Sequence, residues 1–188
     1  MGLNKWFDKG ITPDTYIEQL KDHKESFLHI YNTFTLPDDE DLFQAFQEKN
    51  LRIIVLAEVW CGHCMLNIPV LLHLAEKTNM PVRILARDQN LELMDQYLTN
   101  GKSRTIPIFI FIDEDGNEVA KWGPIAEKTK QFVDKYRAEL PSKEAEDYQE
   151  KFTAMITLVA TSFRENSEFW YGSYESMKQT LTDMLQTK

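Results

Sequence analysis

The spacing of hydrophobic positions changes period along the chain, and those changes divide it. Between residues 12 and 36, Tyr16/Ile17, Leu20, Phe27/Leu28 and Tyr31 follow helical spacing, with Lys24 interrupting the stripe. Thr12-Pro13-Asp14 is a helix start: a capping hydroxyl, a proline at the first helical position and an acid in the first turn. Pro37 disfavours helical backbone before it, so this helix is predicted to stop there. Leu42, Phe43 and Phe46 place a shorter helix over DEDLFQAFQEKN, whose acid-rich start is expected to be solvated.

The pattern then becomes a nearly continuous apolar run, Ile53-Ile54-Val55-Leu56-Ala57 after Arg52. Such a run predicts a central strand covered on both faces. From Gly62 onward helical spacing returns at Met65, Ile68, Leu72 and Ala75. Residues 81–87 read as a second strand, 90–100 as a helix ended by Gly101, and 106–112 as a third strand. Residues 113–117 form a hairpin turn and 118–122 a returning strand, ended by Gly123-Pro124. Three helices are predicted after that: one over about 125–139, one capped by Pro141-Ser142, and one from about 168. The aromatic cluster Phe169, Trp170, Tyr171 and Tyr174 is expected to seal the helical layer. A β-α-β unit implies a parallel pair, and the final hairpin adds an antiparallel edge. The class is therefore α/β, with a central mixed β-sheet flanked by helices.

Composition narrows the functions. With 188 residues, the chain has room for one well-buried core and appended helices. An apolar content of 43% fits a globular chain. The net charge of −9 repels phosphate backbones, so no nucleic-acid partner is expected. IIVLAEVW is far shorter than a membrane span, and no membrane partner is expected either. MGLNKWFDKG shows no basic region followed by an apolar run, so the expected compartment is the cytoplasm, where thiols stay reduced.

That expectation bears on the only two cysteines, Cys61 and Cys64, in WCGHC. Three readings are open: a redox couple, half of a metal site, or two inert core residues. A structural zinc site needs four ligands, and no second cysteine pair or suitably spaced histidine pair accompanies this one. No metal is expected. Two buried thiols fit poorly with a pair between a strand end and a helix start. There, unpaired N–H groups and the helix dipole favour a thiolate at the first cysteine. Gly62 would keep the turn open, and a protonated His63 would add positive charge beside Cys61. A C-x-x-C near a β-α-β pattern favours dithiol chemistry, with Cys61 attacking and Cys64, one turn later, resolving.

WCGHC, with its strand and helix, resembles the thioredoxin superfamily, and its tetrapeptide matches the active-site form of protein disulfide isomerase domains. Pro69 inside the helix, ARDQN at 86–90, Thr105-Ile106-Pro107 at a strand start, and Gly116 and Gly123 in the hairpin agree with it. The resemblance covers roughly residues 40 to 125. It implies a thioredoxin-like fold over 40–140, with an N-terminal helical extension (1–39) and a C-terminal one (141–188) packed on the same domain. It also implies a cis Ile106-Pro107 bond facing the cysteines, where Thr105, Ile106 and Pro107, with Trp60 and Gly62, would meet substrate. Trp60 would be a partly exposed flank.

The family usually has a buried acid six residues before the first cysteine; here that position is Val55. Glu58 is the nearest acid and is expected to handle the proton on Cys64, although strand alternation sets it on the opposite face from Val55 and Ala57. His63 should poise the couple at roughly −200 to −250 mV, more oxidising than thioredoxin. The function expected is thiol–disulfide oxidoreductase, a reductase or isomerase. Its partners would be protein or low-molecular-weight disulfides and a thiol or flavoprotein reductant. It needs no cofactor beyond the Cys61–Cys64 disulfide. The alternative is a non-catalytic adaptor or redox sensor on the same scaffold.

Overall fold

Ile53 through Ala57 are buried without a break, as a strand covered on both faces requires. The structure, a computed structural model, describes residues 2–186. Its sheet has four strands: β1 (Arg52–Ala57), β2 (Val82–Ala86), β3 (Ile108–Ile112) and β4 (Glu118–Trp122), in the order β2-β1-β3-β4. β1 runs parallel to β2, with Ala57 opposite Ala86, and antiparallel to β3, with Val55 opposite Phe109. The β3–β4 hairpin adds the antiparallel edge. This is the mixed, helix-flanked α/β sheet expected.

The helices are α1 (Asn4–Lys9), α2 (Pro13–Gln19), α3 (Lys24–Thr33), α4 (Glu40–Gln47), α5 (Gly62–Lys77), α6 (Leu91–Met94), α7 (Glu127–Ala138), α8 (Tyr148–Glu165) and α9 (Ser167–Gln186). α5 follows β1 and packs against α3, α8 and α9, while α9 also reaches β4. Trp122 Nε1–H donates to Ser176 Oγ at 2.9 Å, tying that edge strand to α9. On the opposite edge, Ile11 exchanges two backbone hydrogen bonds with Ile84, each 2.9 Å, covering part of the outer side of β2. The chain comes so close there that a Cβ at Gly10 would stand 2.7 Å from Arg83 Cβ. No helix among the described residues is long and apolar enough to cross a membrane.

Four expectations are corrected. The single N-terminal helix is broken: Leu20 takes extended backbone to bury its side chain, and the polar run Lys21-Asp22-His23 offers no apolar face to continue the stripe. The 90–100 helix stops at Met94. Asn100 and Gly101 have φ of 53° and 65°, and Thr99 pairs with Ser103 in a tight turn that satisfies the backbone without a helix. The second C-terminal helix begins at Tyr148 rather than at the Pro141-Ser142 cap, because Lys143-Glu144-Ala145-Glu146 has no apolar stripe. The acidic start of α4 is not simply solvated. Asp39 accepts from Tyr174 Oη–H at 2.5 Å and from Lys178 Nζ at 3.1 Å, and these contacts hold its carboxyl below the usual range.

In the aromatic cluster, Phe169, Trp170 and Tyr174 are buried as expected, and Tyr171 stays exposed.

Candidate active site

β1 ends at Ala57, and residues 58–61 turn the chain into α5. Cys61 N–H donates to the Glu58 carbonyl at 3.2 Å and closes that turn. Cys61 is the N-cap of α5: its backbone is extended and its Sγ accepts the Cys64 N–H at 3.2 Å. A sulfur in the capping position therefore sits where helix N–H groups are free to donate. Cys61 is 7% exposed and Cys64 fully enclosed, and both are free thiols.

The two sulfurs have opposite acidities. The Cys61 thiol is lowered, first by the hydrogen bond from Cys64 and then by the backbone N–H groups of Cys64 and His63 and the Arg87 charge. Burial opposes these contributions without overturning them. The Cys64 thiol is raised well above the usual range, first by burial and then by its bond to Cys61 and the negative charge on Cys61. Cys61 is thus the more acidic thiol of the pair and Cys64 the less acidic.

The 106–107 segment faces this pair. Ile106-Pro107 is cis, and the Ile106 carbonyl lies 3.7 Å from Cys61 Sγ, within reach of the S–H as acceptor. Gly123 holds that segment from β4. Its φ is 128°, and a Cβ there would stand 2.2 Å from the Pro107 carbonyl oxygen. The Thr105 side chain turns into its own loop, where its hydroxyl pairs with that of Thr99.

Trp60 is 57% exposed, with the Arg87 guanidinium 5.1 Å over its ring. A Cβ at Gly62 would touch nothing, so glycine there leaves the surface beside Cys61 bare rather than relieving a clash. His63 does not supply the charge considered from the sequence. Its ring lies 5.7 Å from that of Phe163. Burial first, and the Arg137 charge second, push the imidazole down to about 4. At neutral pH it is uncharged, and His63 helps Cys61 through its backbone N–H. Glu58 lies at the strand end, with its carboxylate accepting Asp88 N–H at 2.9 Å. Its backbone N–H bonds the Cys64 thiol, and its charge raises that thiol. Val55 is fully buried among sheet partners.

Several contributors escaped the sequence reading. Tyr16 donates its hydroxyl to the Glu58 carbonyl at 3.1 Å, and His23 Nε2 lies 3.1 Å from the Trp60 carbonyl. Tyr16 lies in α2 and His23 is the N-cap residue of α3, and both hold the 58–61 turn. Arg87 follows β2 directly, and the parallel register that sets Ala86 beside Ala57 carries it to the site. That position was readable once the β-α-β pairing was assumed. Nothing in the local sequence around Tyr16, His23, Arg137 or Phe163 points to the cysteines. Among the described residues, no cluster of three or more His, Cys, Asp or Glu side chains is disposed to hold a metal ion.

Comparison with known proteins bears on the family and the fold. A family model described as thioredoxin matches residues 10–137, which takes in α2 through nearly all of α7 and leaves α8 and α9 outside. No curated protein matches the sequence. Solved structures share the fold, two of them over nearly the whole chain. A Pseudomonas aeruginosa protein of unknown function is 16% identical with a TM-score of 0.62; the match covers 99% of this chain and 96% of that one. An HIV epitope-scaffold is 15% identical with a TM-score of 0.65, covering 99% and 98%. At such identities the likeness concerns the fold alone.

Proposed function

The chain belongs to the thioredoxin family, and from that premise we propose that it is a thiol–disulfide oxidoreductase working through Cys61 and Cys64. The Cys61 thiolate attacks one sulfur of a substrate disulfide. A bond forms between Cys61 and that sulfur, and the other substrate sulfur leaves as a thiolate. Cys64 then loses its proton and attacks Cys61 Sγ. The mixed disulfide breaks, the second substrate thiolate leaves, and a Cys61–Cys64 disulfide remains. Two electrons pass from the protein dithiol to the substrate. A thiol or flavoprotein reductant reverses the change in the protein, so that the dithiol is the resting form in a reducing cytoplasm.

The single observation that carries this reading is the placement of the two thiols: Cys61 Sγ caps the N-terminus of α5 and accepts the Cys64 N–H at 3.2 Å, with Cys64 enclosed in the core one turn on. The acidities follow that placement, Cys61 lowered and Cys64 raised. Glu58, whose charge reaches Cys64, is the group we assign to receive its proton at the resolving step. The Ile106 carbonyl beside Cys61 offers an extended substrate a backbone acceptor.

Trapping tests the proposal. Cys64→Ser should accumulate mixed disulfides through Cys61, identified by mass spectrometry after non-reducing separation. Cys61→Ser/Cys64→Ser should accumulate none. An empty Cys64→Ser trap would overturn the reading.

A further inference from the structure

One cavity, of about 800 Å3, is an open face of α8 and is lined by neither a thiol nor a histidine. A smaller one, about 290 Å3, opens on Cys61 itself. Its floor is Trp60, Cys61 and Gly62, and the bare glycine leaves the sulfur side open. Met155, Ile156 and Val159 of α8 form an apolar wall, and Arg137 of α7 stands in the lining. Two of these residues carry the argument. Ile156 is 47% exposed and brings a large aliphatic side chain to the cavity rim. Arg137 has no side-chain hydrogen bond and no salt bridge within 4 Å among the described residues; its charge reaches Asp134, whose own bonded partner is Lys130. The other arginines all have a partner: Arg52, Arg83, Arg87, Arg104 and Arg164. The cavity thus combines a reactive sulfur, an apolar wall and a guanidinium to which no carboxylate is hydrogen-bonded. At about 290 Å3 it lies near the lower end of small-ligand pockets, which start at roughly 300 Å3.

We propose that this groove selects low-molecular-weight disulfides with an apolar arm and a carboxylate, the arm on Met155, Ile156 and Val159 and the carboxylate on Arg137. This rests on the oxidoreductase reading and names the substrate class of the same site. The covalent step is the Cys61 attack described above. The guanidinium adds a charge-assisted hydrogen bond that a neutral disulfide cannot make. Most of the wall comes from α8, which lies outside the family match.

The test compares two aromatic disulfides on the full reduced chain by stopped-flow absorbance. One probe is the carboxylated 5,5′-dithiobis(2-nitrobenzoate) and the other the neutral 4,4′-dithiodipyridine. Arg137→Gln should lower the ratio of their rate constants, carboxylated over neutral, about tenfold, the size of one hydrogen bond to a charge. Ile156→Asp, at an exposed position, should lower the same ratio by setting a like charge beside the carboxylate. Any change in Cys61 acidity alters both rates and cancels in the ratio. An unchanged ratio in both variants would overturn the groove assignment and leave the oxidoreductase reading standing. Failure of the wild-type chain to react with the neutral probe through Cys61 would overturn both.

Discussion

The N-terminal helices meet the 58–64 segment with polar groups, whereas the C-terminal helices meet it mainly with rings and aliphatic side chains. Tyr16 and His23 each address a backbone carbonyl, at Glu58 and Trp60. Phe163 covers the His63 ring, and Met155, Ile156 and Val159 wall the space beside Cys61. The C-terminal side adds one buried polar link: Ser173 Oγ–H donates to Asn67 Oδ1 at 2.6 Å, and Asn67 Nδ2 donates to the His63 carbonyl at 2.8 Å. The two sides meet away from the cysteines, where Arg164 pairs with Glu25 at 2.8 Å. The difference has a physical consequence. A hydrogen bond to a carbonyl fixes where a turn sits and leaves the local solvent largely as it was. An apolar wall removes water, and so changes the titration of whatever it covers.

Phe163→Ala should separate these effects most strongly. Phe163 is 1% exposed and packs its ring against His63 and, at 5.5 Å, against Phe169. Its truncation should destabilise the chain by about 3–5 kcal/mol in denaturant unfolding. The same variant should raise the His63 titration from about 4 toward its ordinary 6.5, followed by NMR of the imidazole. If His63 stayed near 4, the Arg137 charge and not the apolar cover would be setting it, and the contrast between the two sides would fail.

A smaller effect is expected from acid. The native imidazole is lowered from 6.5 to about 4, so the unfolded chain takes up the proton first. The sign follows: between those two pH values the unfolded state binds more protons, and stability falls as pH falls. Below about 4 both states are protonated and the loss attributable to this group is complete. Its ceiling is roughly 3 kcal/mol, reduced by whatever water reaches the partly buried ring. His63→Asn cannot titrate and should lose correspondingly less stability than the wild type between pH 7 and pH 4. The difference between the two, from urea unfolding at each pH, isolates His63 from the acidic side chains. Equal losses would show that the ring is not held neutral by its cover.

These side-specific effects are the part that sequence could not supply. β1, WCGHC and the hairpin are legible because each depends on neighbours close in the chain: a buried run, a helix start, a turn. The cis Ile106-Pro107 bond beside the cysteines was expected only through the resemblance, since nothing local sets it there. Helical spacing around Phe163 states that one face is buried, but not that it is buried on His63, a hundred residues earlier. The same limit hid Tyr16 and Arg137. It also made His63 look like a source of charge, because its chemistry was read without its cover. Asp39 looked solvated for the same reason, since Tyr174 and Lys178 approach it from the far end of the sequence.

Tyr16→Phe is the mildest change and the most discriminating one. The ring is 3% exposed and stays in place; only the hydroxyl is removed from the Glu58 carbonyl. That carbonyl keeps the Cys61 N–H, so it is not left without a partner. The loss should therefore be about 1 kcal/mol, the net contribution of an ordinary hydrogen bond. Because water is not admitted to the other side of the turn, the His63 titration should remain near 4, the reverse of the Phe163→Ala result. The rate at which iodoacetamide alkylates Cys61 should change instead, since the turn that presents the sulfur is less firmly held. A shift of His63 in Tyr16→Phe would mean that the two sides act through one coupled element, and that polar anchoring and apolar cover are not separate controls on this thiol pair.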